Sequence, residues 1–401
     1  MAYLKLMSFE DASMALQGLV NTVEGTEAVA LEDALGRVAS EDIISQIDIP
    51  PYNKSQMDGY ALMASDSFSA SEQSPVRLRM VEHVDAGHAP RAALGEGECA
   101  YVATGAELPK GADSVVMVED ALAAQDEVTV SRPLAPGENV MATGFDMAVG
   151  SVVVPKGAKL TPRMLAAISG VGVPQVKVNR RPKIAVISTG SEIISPSEPY
   201  TQAKTYDVNG AFLLSECKRL GCDVDFLGIA TDSKDDLSRM IGLAKDRDLV
   251  LVSAGVSKGA KDLMEATLSE MGEIILHGIN IKPGKPTMAA MCGGSLVIGL
   301  PGHPTSCILI FKMLVMPLLF KAMGSEHTFR TSELTLRKRI VATRGRKQFM
   351  PVSISDDGAY PVFRGSGAIS SFLKAEGIAI IDENTEYLDP GESLKVILLD
   401  D

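Results

Sequence analysis

Acidic side chains recur between Pro182 and Cys307, each in a loop that follows an apolar run of β-strand length. Glu192 follows ISTGS, Asp232 follows LGIAT, and Asp262 follows VSAGVSKGAK. Carboxylates can hold a divalent cation or activate water. Lysines offer positive charge to an anion, and glycines let backbone amides approach it closely. The basic and glycine residues of these loops are Lys258, Lys282, Lys285, Gly190, Gly255, Gly259, Gly284 and Gly302. The stretch therefore predicts a site for an anionic ligand.

Two short motifs strengthen this prediction. GLPGHPTSC places Gly302 and Ser306 at a strand-to-helix turn, where free amides and the helix dipole favour phosphate or carboxylate. KPGKP holds Lys282 and Lys285 in a proline-rich turn. Each also has a purely structural interpretation, because the first can be a tight turn and the second a solvated loop.

Other candidate residues are open to two interpretations as well. Asp232 and Asp262 each precede a helix and suit an N-cap, the favoured role for Asp232 taken alone. Asp58 in QMDGYAL and Thr104 in VATGAELP lie in loops that turn chemistry alone explains. Five histidines show no zinc spacing, and only His303 lies inside a glycine loop. A Walker A sequence and a G-x-G-x-x-G after a strand are both lacking, which disfavours an ordinary ATPase or dinucleotide enzyme.

The elements that position these residues follow from periodicity. Segment 180–325 alternates strands such as PKIAVIS and DLVLVSA with apolar helical spacings, which predicts a largely parallel sheet with helices on both faces. Ser8 and Asp11 open an N-terminal helix, and Thr161 and Pro162 open another that we expect to pack with it. Between these helices, short alternations from Ile49 to about 140 predict an inserted β-rich module. The pattern beyond His327 predicts a small β-barrel or sandwich.

Composition narrows the class of protein. The 401 residues predict two to four domains, and 46% hydrophobic residues indicate a folded chain. A net charge of −13 argues against broad nucleic-acid binding. Five scattered cysteines without a C-x-x-C pair fit a reduced cytoplasm. The N-terminus lacks a signal-peptide core, and the apolar run CILIFKMLVMPLLF is broken by Lys312 and Pro317, so we expect no membrane span.

Nine motifs in one order resemble a known family. They are MDGYA, TGA-x-x-P-x-GADSVV, GEN, STGSE, YDVN, SAGVSKG, KPGKP, LPGHP-x-S and GSGAISSF. In that order and at those separations they resemble the molybdopterin molybdenumtransferases, the family that includes the C-terminal domain of gephyrin. The resemblance extends essentially from end to end.

The resemblance implies a multidomain α/β and β fold. It implies an elongated helical domain (1–47 and 141–179), an inserted β-rich domain (48–140), a doubly wound, mostly parallel α/β molybdopterin-binding domain (180–326) and a C-terminal β-barrel (327–401). It also implies a homodimer whose clefts join the α/β domain of one subunit to the β-domain of the other. The implied reaction inserts molybdate into adenylylated molybdopterin, with Mg²⁺-dependent phosphoanhydride cleavage and release of AMP.

Residues carry over by motif. The family's catalytic acids fall on Asp58, Glu192, Asp232 and Asp262, and Asp262 with Glu192 would hold Mg²⁺. The implied substrate-binding residues are Thr104, Gly190, Ser257, Lys258, Lys282, Lys285, Pro301, Gly302, Pro304, Ser306, Ser370 and Ser371.

The chain also departs from the family pattern. Ala254 replaces a glycine, Ser191 stands where the family has Asp, and His303 where it has Asn. Lys258 lies in a glycine loop that also differs, and segment 141–146 reads MATGFD instead of arginines and G-E-D. These departures leave open a diverged molybdopterin-binding or scaffolding protein without transferase activity. Tungstate, which is close to molybdate in size and charge, also stays open as the natural oxyanion.

Overall fold

The computed structural model describes residues 6–254 and 258–399, with only the backbone described for residues 258–261. Its helices are α1 Phe9–Leu19, α2 Pro162–Gly170, α3 Val208–Leu220, α4 Lys234–Leu243, α5 Lys258–Met271, α6 Pro304–Ile310, α7 Met316–Ala322 and α8 Ser370–Leu373. A short π-helix, Phe311–Val315, joins α6 to α7. Short 3-10 helices span Leu31–Asp33, Ala64–Ser67 and Val118–Asp120.

The N-terminal helix begins where its cap predicts. Ser8 Oγ accepts a hydrogen bond from the N–H of Asp11 at 3.0 Å. The helix packs differently from the prediction, because its buried residues Ala12 and Leu16 join the core of the α/β domain. Ile168 of α2 belongs to a separate cluster. The prediction that α1 and α2 form one packing unit is therefore wrong.

Strands β1 Thr26–Ala30 and β2 Ile43–Ile44 follow α1. The chain then enters the β-rich module, which contains β3 Lys54–Ser55, β4 Gly59–Leu62, β5 Val76–Val84, β6 Glu98–Val102, β7 Ser114–Met117, β8 Ala121–Ala124, β9 Glu127–Val130 and β10 Val140–Met141. Six of these strands form one sheet in the order β7-β4-β6-β5-β9-β8, and β3 pairs with β10. The predicted β-rich character of this segment is confirmed.

The chain returns from this module to the first two strands. β11 Val152–Val154 pairs with β2, and β12 Gln175–Asn179 pairs antiparallel with β1. In the sequence, helix α2 lies between β11 and β12. It begins as predicted, with Pro162 as its first residue, and Thr161 Oγ1 accepts a hydrogen bond from the N–H of Met164 at 3.4 Å. Residues 1–47 and 141–179 thus contribute two helices and paired strands rather than helices alone. That they form an elongated helical domain stays a prediction.

The α/β domain contains β13 Lys183–Thr189, β14 Ile193–Ile194, β15 Thr205–Tyr206, β16 Asp223–Ala230, β17 Leu249–Ala254, β18 Glu273–His277, β19 Ile281–Lys282, β20 Met288–Cys292 and β21 Ser295–Pro301. Its sheet has the order β16-β13-β17-β21-β20-β18. Strands β16, β13, β17 and β21 run parallel to one another, and β20 runs antiparallel to its neighbours β21 and β18. The predicted parallel sheet is confirmed, whereas β20 was not anticipated.

Helices cover both faces of this sheet. Along β13, Ile184 and Val186 face a core that includes α3, α6 and α7, while Ala185 and Ile187 face a second core formed with α4 and α5. This alternation reflects the two-residue period of a strand. The segment Pro304–Ala322 is long and apolar enough for a membrane span, but 78% of its most apolar window is buried inside the protein. It is the core helix of this domain.

The C-terminal strands are β22 Thr331–Thr335, β23 Ile340–Val341, β24 Lys347–Ser355, β25 Gly358–Pro361, β26 Gly377–Ile381, β27 Tyr387–Leu388 and β28 Ser393–Leu398. The main sheet has the order β19-β24-β26-β28-β22, with β25 paired to β24. The predicted β-rich end of the chain is confirmed, and closure into a barrel stays a prediction. Strand β19, which leads into KPGKP, belongs to this sheet rather than to that of the α/β domain.

Candidate active site

The carboxyl ends of the four parallel strands lie at one edge of the α/β sheet. β13 ends at Thr189, β16 at Ala230, β17 at Ala254 and β21 at Pro301. Ligands of open α/β sheets bind in the crevice beyond this edge. The loops that carry Glu192, Asp232 and Gly302 all begin there. The structure thus places these loops where the sequence analysis expected them.

Asp232 links two of these loops. Its Oδ2 accepts a hydrogen bond from the backbone N–H of Ser191 at 2.9 Å. It does not cap the next helix, because the N-cap of α4 is Ser233. The purely structural capping interpretation of Asp232 is therefore wrong, and its carboxylate instead holds the loop that carries Glu192.

Glu192 follows a turn that requires glycine. Gly190 has φ +143°, and a Cβ there would lie 2.8 Å from Glu192 Oε2. Any larger residue would displace the carboxylate or the backbone. Both Glu192 and Asp232 are exposed to solvent.

Asp262 is an exposed residue in the early part of α5. The candidate residues Gly255 and Ser257 lie outside the described residues. For Lys258 and Gly259 the structure describes only the backbone. Within the described residues, no group of three or more His, Cys, Asp or Glu side chains is arranged to hold a metal ion.

A buried hydrogen-bond hub lies behind these loops. Asp207 caps α3, since its Oδ1 accepts from the N–H of Gly210 at 2.9 Å, and its Oδ2 accepts from Ser188 Oγ at 2.6 Å. Asn209 Nδ2 donates to Ser253 Oγ and to the carbonyl of Gly302, both at 2.8 Å. The hub therefore ties the ends of β13 and β17 to the LPGHP loop.

Asp207 and Asn209 belong to the YDVN motif, for which the sequence analysis assigned no site residue. A D-x-N at the start of a helix is a detectable signal, because Asp is a preferred N-cap. The partners Ser188, Ser253 and Gly302 were not foreseeable, since they are distant in sequence. A cavity of about 90 Å³ adjoins this hub. A larger cavity of about 430 Å³ lies at the opposite, amino-terminal edge of the sheet and is not part of the site.

The LPGHP loop packs against the C-terminal domain. Pro301 ends β21, and Pro304 is the first residue of α6, whose third residue, Ser306, is buried. Thr305 donates its N–H to the Ser366 carbonyl at 3.0 Å. A backbone N–H in the first turn of α6 is therefore already hydrogen-bonded to a protein carbonyl. Fewer amides of this turn are left to bind an anion than the sequence predicts.

The predicted serine pair lies in the segment that makes this contact. Ser371 is fully buried, and its Oγ accepts from the N–H of Arg364 at 3.1 Å. Ser370 is exposed. Of the two, only Ser370 is therefore accessible to a substrate.

The KPGKP turn packs against helix α6, which also carries Pro304 and Ser306. A Cβ at Gly284 would be 2.5 Å from Ile310 Cδ1, so the turn packs directly on α6. Lys282 and Lys285 are exposed, and Lys282 Nζ donates to Thr343 Oγ1 at 2.7 Å. The two lysines therefore present positive charge beside the junction of the α/β and C-terminal domains.

Asp58 and Thr104 form a separate pair in the β-rich module. Thr104 donates both its N–H and its Oγ1–H to Asp58 Oδ1, at 2.6 and 2.8 Å. These bonds, the backbone one first, hold the pKa of Asp58 below its ordinary value. Among the described residues, neither side chain hydrogen-bonds to the α/β domain, so a single chain does not join this pair to Glu192 and Asp232 by direct contact.

Cysteine chemistry is disfavoured throughout the molecule. All five cysteines are buried and unpaired. Burial raises the pKa of the Cys99 thiol to about 12, and it also raises those of Cys217, Cys222, Cys292 and Cys307. Thiolate nucleophiles need the opposite shift.

Three family profiles match the chain. They are the MoeA N-terminal region (domain I and II) over residues 7–172, a probable molybdopterin binding domain over residues 185–321, and the MoeA C-terminal region (domain IV) over residues 333–399. Together they extend over almost all of the described chain.

Relatives and solved structures match over nearly their full lengths. Molybdopterin molybdenumtransferase from Staphylococcus aureus (strain Mu50) is 30% identical over 96% of this chain and 94% of its own length. The enzyme of the same name from Haemophilus influenzae is 31% identical over 92% and 93%. A crystal structure of the molybdopterin biosynthesis MoeA protein from Pyrococcus horikoshii is 42% identical, with a TM-score of 0.88 over 98% of this chain and 99% of that one.

Proposed function

We propose that this chain, which belongs to the molybdopterin molybdenumtransferase family, is a transferase of molybdenum cofactor biosynthesis that inserts molybdate into adenylylated molybdopterin. In this reaction the phosphoanhydride of the substrate is cleaved and AMP is released. The observation that carries the proposal is the set of loops at the carboxyl edge of the parallel sheet. They hold Glu192 and Asp232 on linked turns within a chain that matches the family from end to end.

The carboxylates suit a magnesium site completed by substrate. Mg²⁺ is typically bound through one or two carboxylates together with substrate phosphates and water, so a closed cluster of three protein ligands is not required. Glu192 and Asp262 are the proposed ligands, and both are exposed. When bound, Mg²⁺ would offset charge that develops on the cleaved phosphates. Asp232 positions the Glu192 loop through Ser191.

The lysines suit the anionic parts of the substrates. The whole chain carries a net charge of −13, so an anion needs a local basic surface. Lys282 and Lys285 supply one, on a turn that Gly284 holds against α6. We assign them to phosphate or molybdate, together with Lys258.

The position of Asp58 and Thr104 in a different domain suits a site shared between subunits. Both residues are exposed, and the hydrogen bonds that Thr104 donates to Asp58 hold this carboxylate in place and lower its pKa. In a two-fold homodimer the β-rich module of one subunit can face the α/β cleft of the other, which generates two equivalent sites. Asp58 would there position water or molybdate.

Turnover with defined substrates tests the proposal. Purified protein, adenylylated molybdopterin, molybdate and Mg²⁺ should give AMP, measured by chromatography, together with metallated cofactor. Parallel reactions with tungstate report the oxyanion preference. Stoichiometric pterin binding without AMP release would instead support the non-catalytic binding protein.

A further inference from the structure

The turn before β15 holds an alanine in a backbone conformation that favours glycine. Lys204 N–H donates to the carbonyl of Thr201 at 3.1 Å, which closes a four-residue turn. Ala203, the third residue of this turn, has φ +66°. A positive φ at the third position is typical of a type II turn, where a residue other than glycine is strained. Because such strain is often retained beside functional sites, the next residue, Lys204, is a candidate functional residue.

Lys204 reaches back to the loop that carries Glu192. Strand β15 pairs in parallel with β14, and Thr205 N–H donates to the Glu192 carbonyl at 2.8 Å. Lys204 Nζ donates to the carbonyl of Ser191 at 2.5 Å. Asp232 accepts from the N–H of the same serine. Lys204 and Asp232 therefore bind both backbone groups of Ser191, directly before Glu192.

The ammonium of Lys204 has donors left for a ligand. A lysine ammonium carries three N–H donors, and the carbonyl of Ser191 takes one of them. Within the part of the chain that the structure describes, no carboxylate forms an ion pair with Lys204. The residue is partly exposed. An oxygen of a bound substrate can therefore reach the remaining donors.

A phosphate at this end of the cleft needs a cation from the protein. Glu192 and Asp232 are both exposed acids and would repel it. Mg²⁺ at the proposed site offsets part of this charge. Lys282 and Lys285 belong to the turn that packs on α6, whereas Lys204 contacts the Glu192 loop directly. Lys204 thus supplies positive charge beside the acids themselves.

We propose that Lys204 is a further substrate-binding residue, whose ammonium donates a hydrogen bond to a phosphate oxygen of the phosphoanhydride beside Glu192. This inference rests on the proposed function, because it assumes an adenylylated substrate. The bond to Ser191 already holds the ammonium in place, so little side-chain freedom is lost when the phosphate binds. A charge-assisted hydrogen bond to phosphate is also stronger than a neutral one.

ADP binding tests the role of this charge without turnover. ADP contains an adenylyl phosphoanhydride like that of the proposed substrate, and isothermal titration calorimetry in the presence of Mg²⁺ measures its affinity. Lys204→Gln keeps a hydrogen-bond donor but is neutral, so we expect it to bind ADP roughly tenfold more weakly than the wild type. Lys204→Arg keeps the charge and should retain most of the affinity. Lys218→Gln is the matched control, because Lys218 is an exposed lysine in the last turn of α3.

The outcomes separate substrate binding from a purely structural role. If Lys204 only holds the loop, Lys204→Gln should bind ADP like the wild type, whereas Lys204→Met, which lacks any donor, should not. That pattern would overturn the inference, as would failure of the wild type to bind ADP at millimolar concentration. If Lys204→Gln does not fold, weak ADP binding by folded Lys204→Arg would contradict it.

AMP release is measured separately, so that this inference and the proposed function can fail independently. ADP binding that depends on the charge of Lys204, without AMP release by the wild type, would refute only the transferase. AMP release by Lys204→Gln with the kcat and KM of the wild type would refute the role of Lys204 alone.

Discussion

Thr104 donates two hydrogen bonds to a single oxygen of Asp58, at 2.6 Å from the backbone N–H and 2.8 Å from the hydroxyl. The pair joins the ends of neighbouring strands in the β-rich module, far from the chain's other candidate acids in sequence. The bonds lower the pKa of Asp58, the backbone bond contributing most. Asp58 is thus an exposed carboxylate that two hydrogen bonds hold in one position.

Thr104→Ala should raise the pKa of Asp58 only part of the way to its ordinary value. The substitution removes the hydroxyl bond but keeps the backbone N–H, which is the larger cause of the shift. Carboxyl-carbon NMR titration measures the change, and Thr104→Ser serves as the control because it keeps both donors. A pKa in Thr104→Ala equal to that of the wild type would show that the hydroxyl contributes nothing.

The shared site predicts complementation between inactive chains. If Asp58→Ala and Asp262→Ala are each inactive, equal mixing after unfolding should give half heterodimers, each with one intact and one doubly damaged cleft. Activity should recover to roughly a quarter of wild type if exchange is random. A site built within one subunit would leave the mixture inactive.

Asp262→Asn should abolish AMP release while pterin binding is largely retained. The neutral amide keeps the shape of the side chain but is a far weaker magnesium ligand. Asp246→Asn is a matched control, because Asp246 is an exposed acid at the opposite edge of the sheet. Normal turnover in Asp262→Asn would remove the residue from the metal site.

Lys282 and Lys285 should make anion affinity salt-dependent. The apparent affinity for molybdate or the pterin phosphate should fall as ionic strength rises, and less steeply in the double alanine variant. Alanine at Lys156 and Lys395, two exposed lysines outside this turn, provides the control. Equal salt dependence in the wild type and the Lys282/Lys285 variant would assign these lysines a structural role.

Asp248→Asn should destabilise the α/β domain in a pH-dependent way. Arg180 donates two hydrogen bonds of 2.8 Å to this carboxylate, and Lys183 N–H donates a third at 2.7 Å. Burial alone would raise the pKa of Asp248, but these bonds and the Arg180 charge outweigh it and lower the pKa. Replacement should cost about 1–3 kcal/mol at pH 7 in urea unfolding.

Because the pKa of Asp248 is lower in the folded than in the unfolded protein, its ionised form stabilises the fold. This stabilisation is fully present above the unfolded-state pKa of about 3.9 and is lost as the pH falls through the folded-state pKa. The difference between wild type and Asp248→Asn should therefore narrow below about pH 4. A constant difference from pH 7 to pH 3 would contradict this account.

Local signals were sufficient for many elements. The caps at Ser8 and Thr161 and the apolar faces of α4 and α5 depend on residues a few positions apart, so the sequence determines them. Strand β20 escaped prediction because MAAMC lacks β-branched residues, and its pairing with β18 and β21 supplies the stabilisation instead. The sequence also did not predict that α1 packs on the α/β core. Both this core and helix α2 are apolar, so the apolar face of α1 suits either partner.

The sequence by itself determined the family, the parallel sheet and the edge at which the acidic loops emerge, because these follow from motif order and short-range periodicity. Only the tertiary structure decided what the acids contact. It paired Asp232 with Ser191 rather than with a helix end, placed β19 in the C-terminal sheet, and joined Asn209 to Ser253 and Gly302. Such contacts link residues tens of positions apart, and the packing of the whole domain selects them from many alternatives of similar local energy.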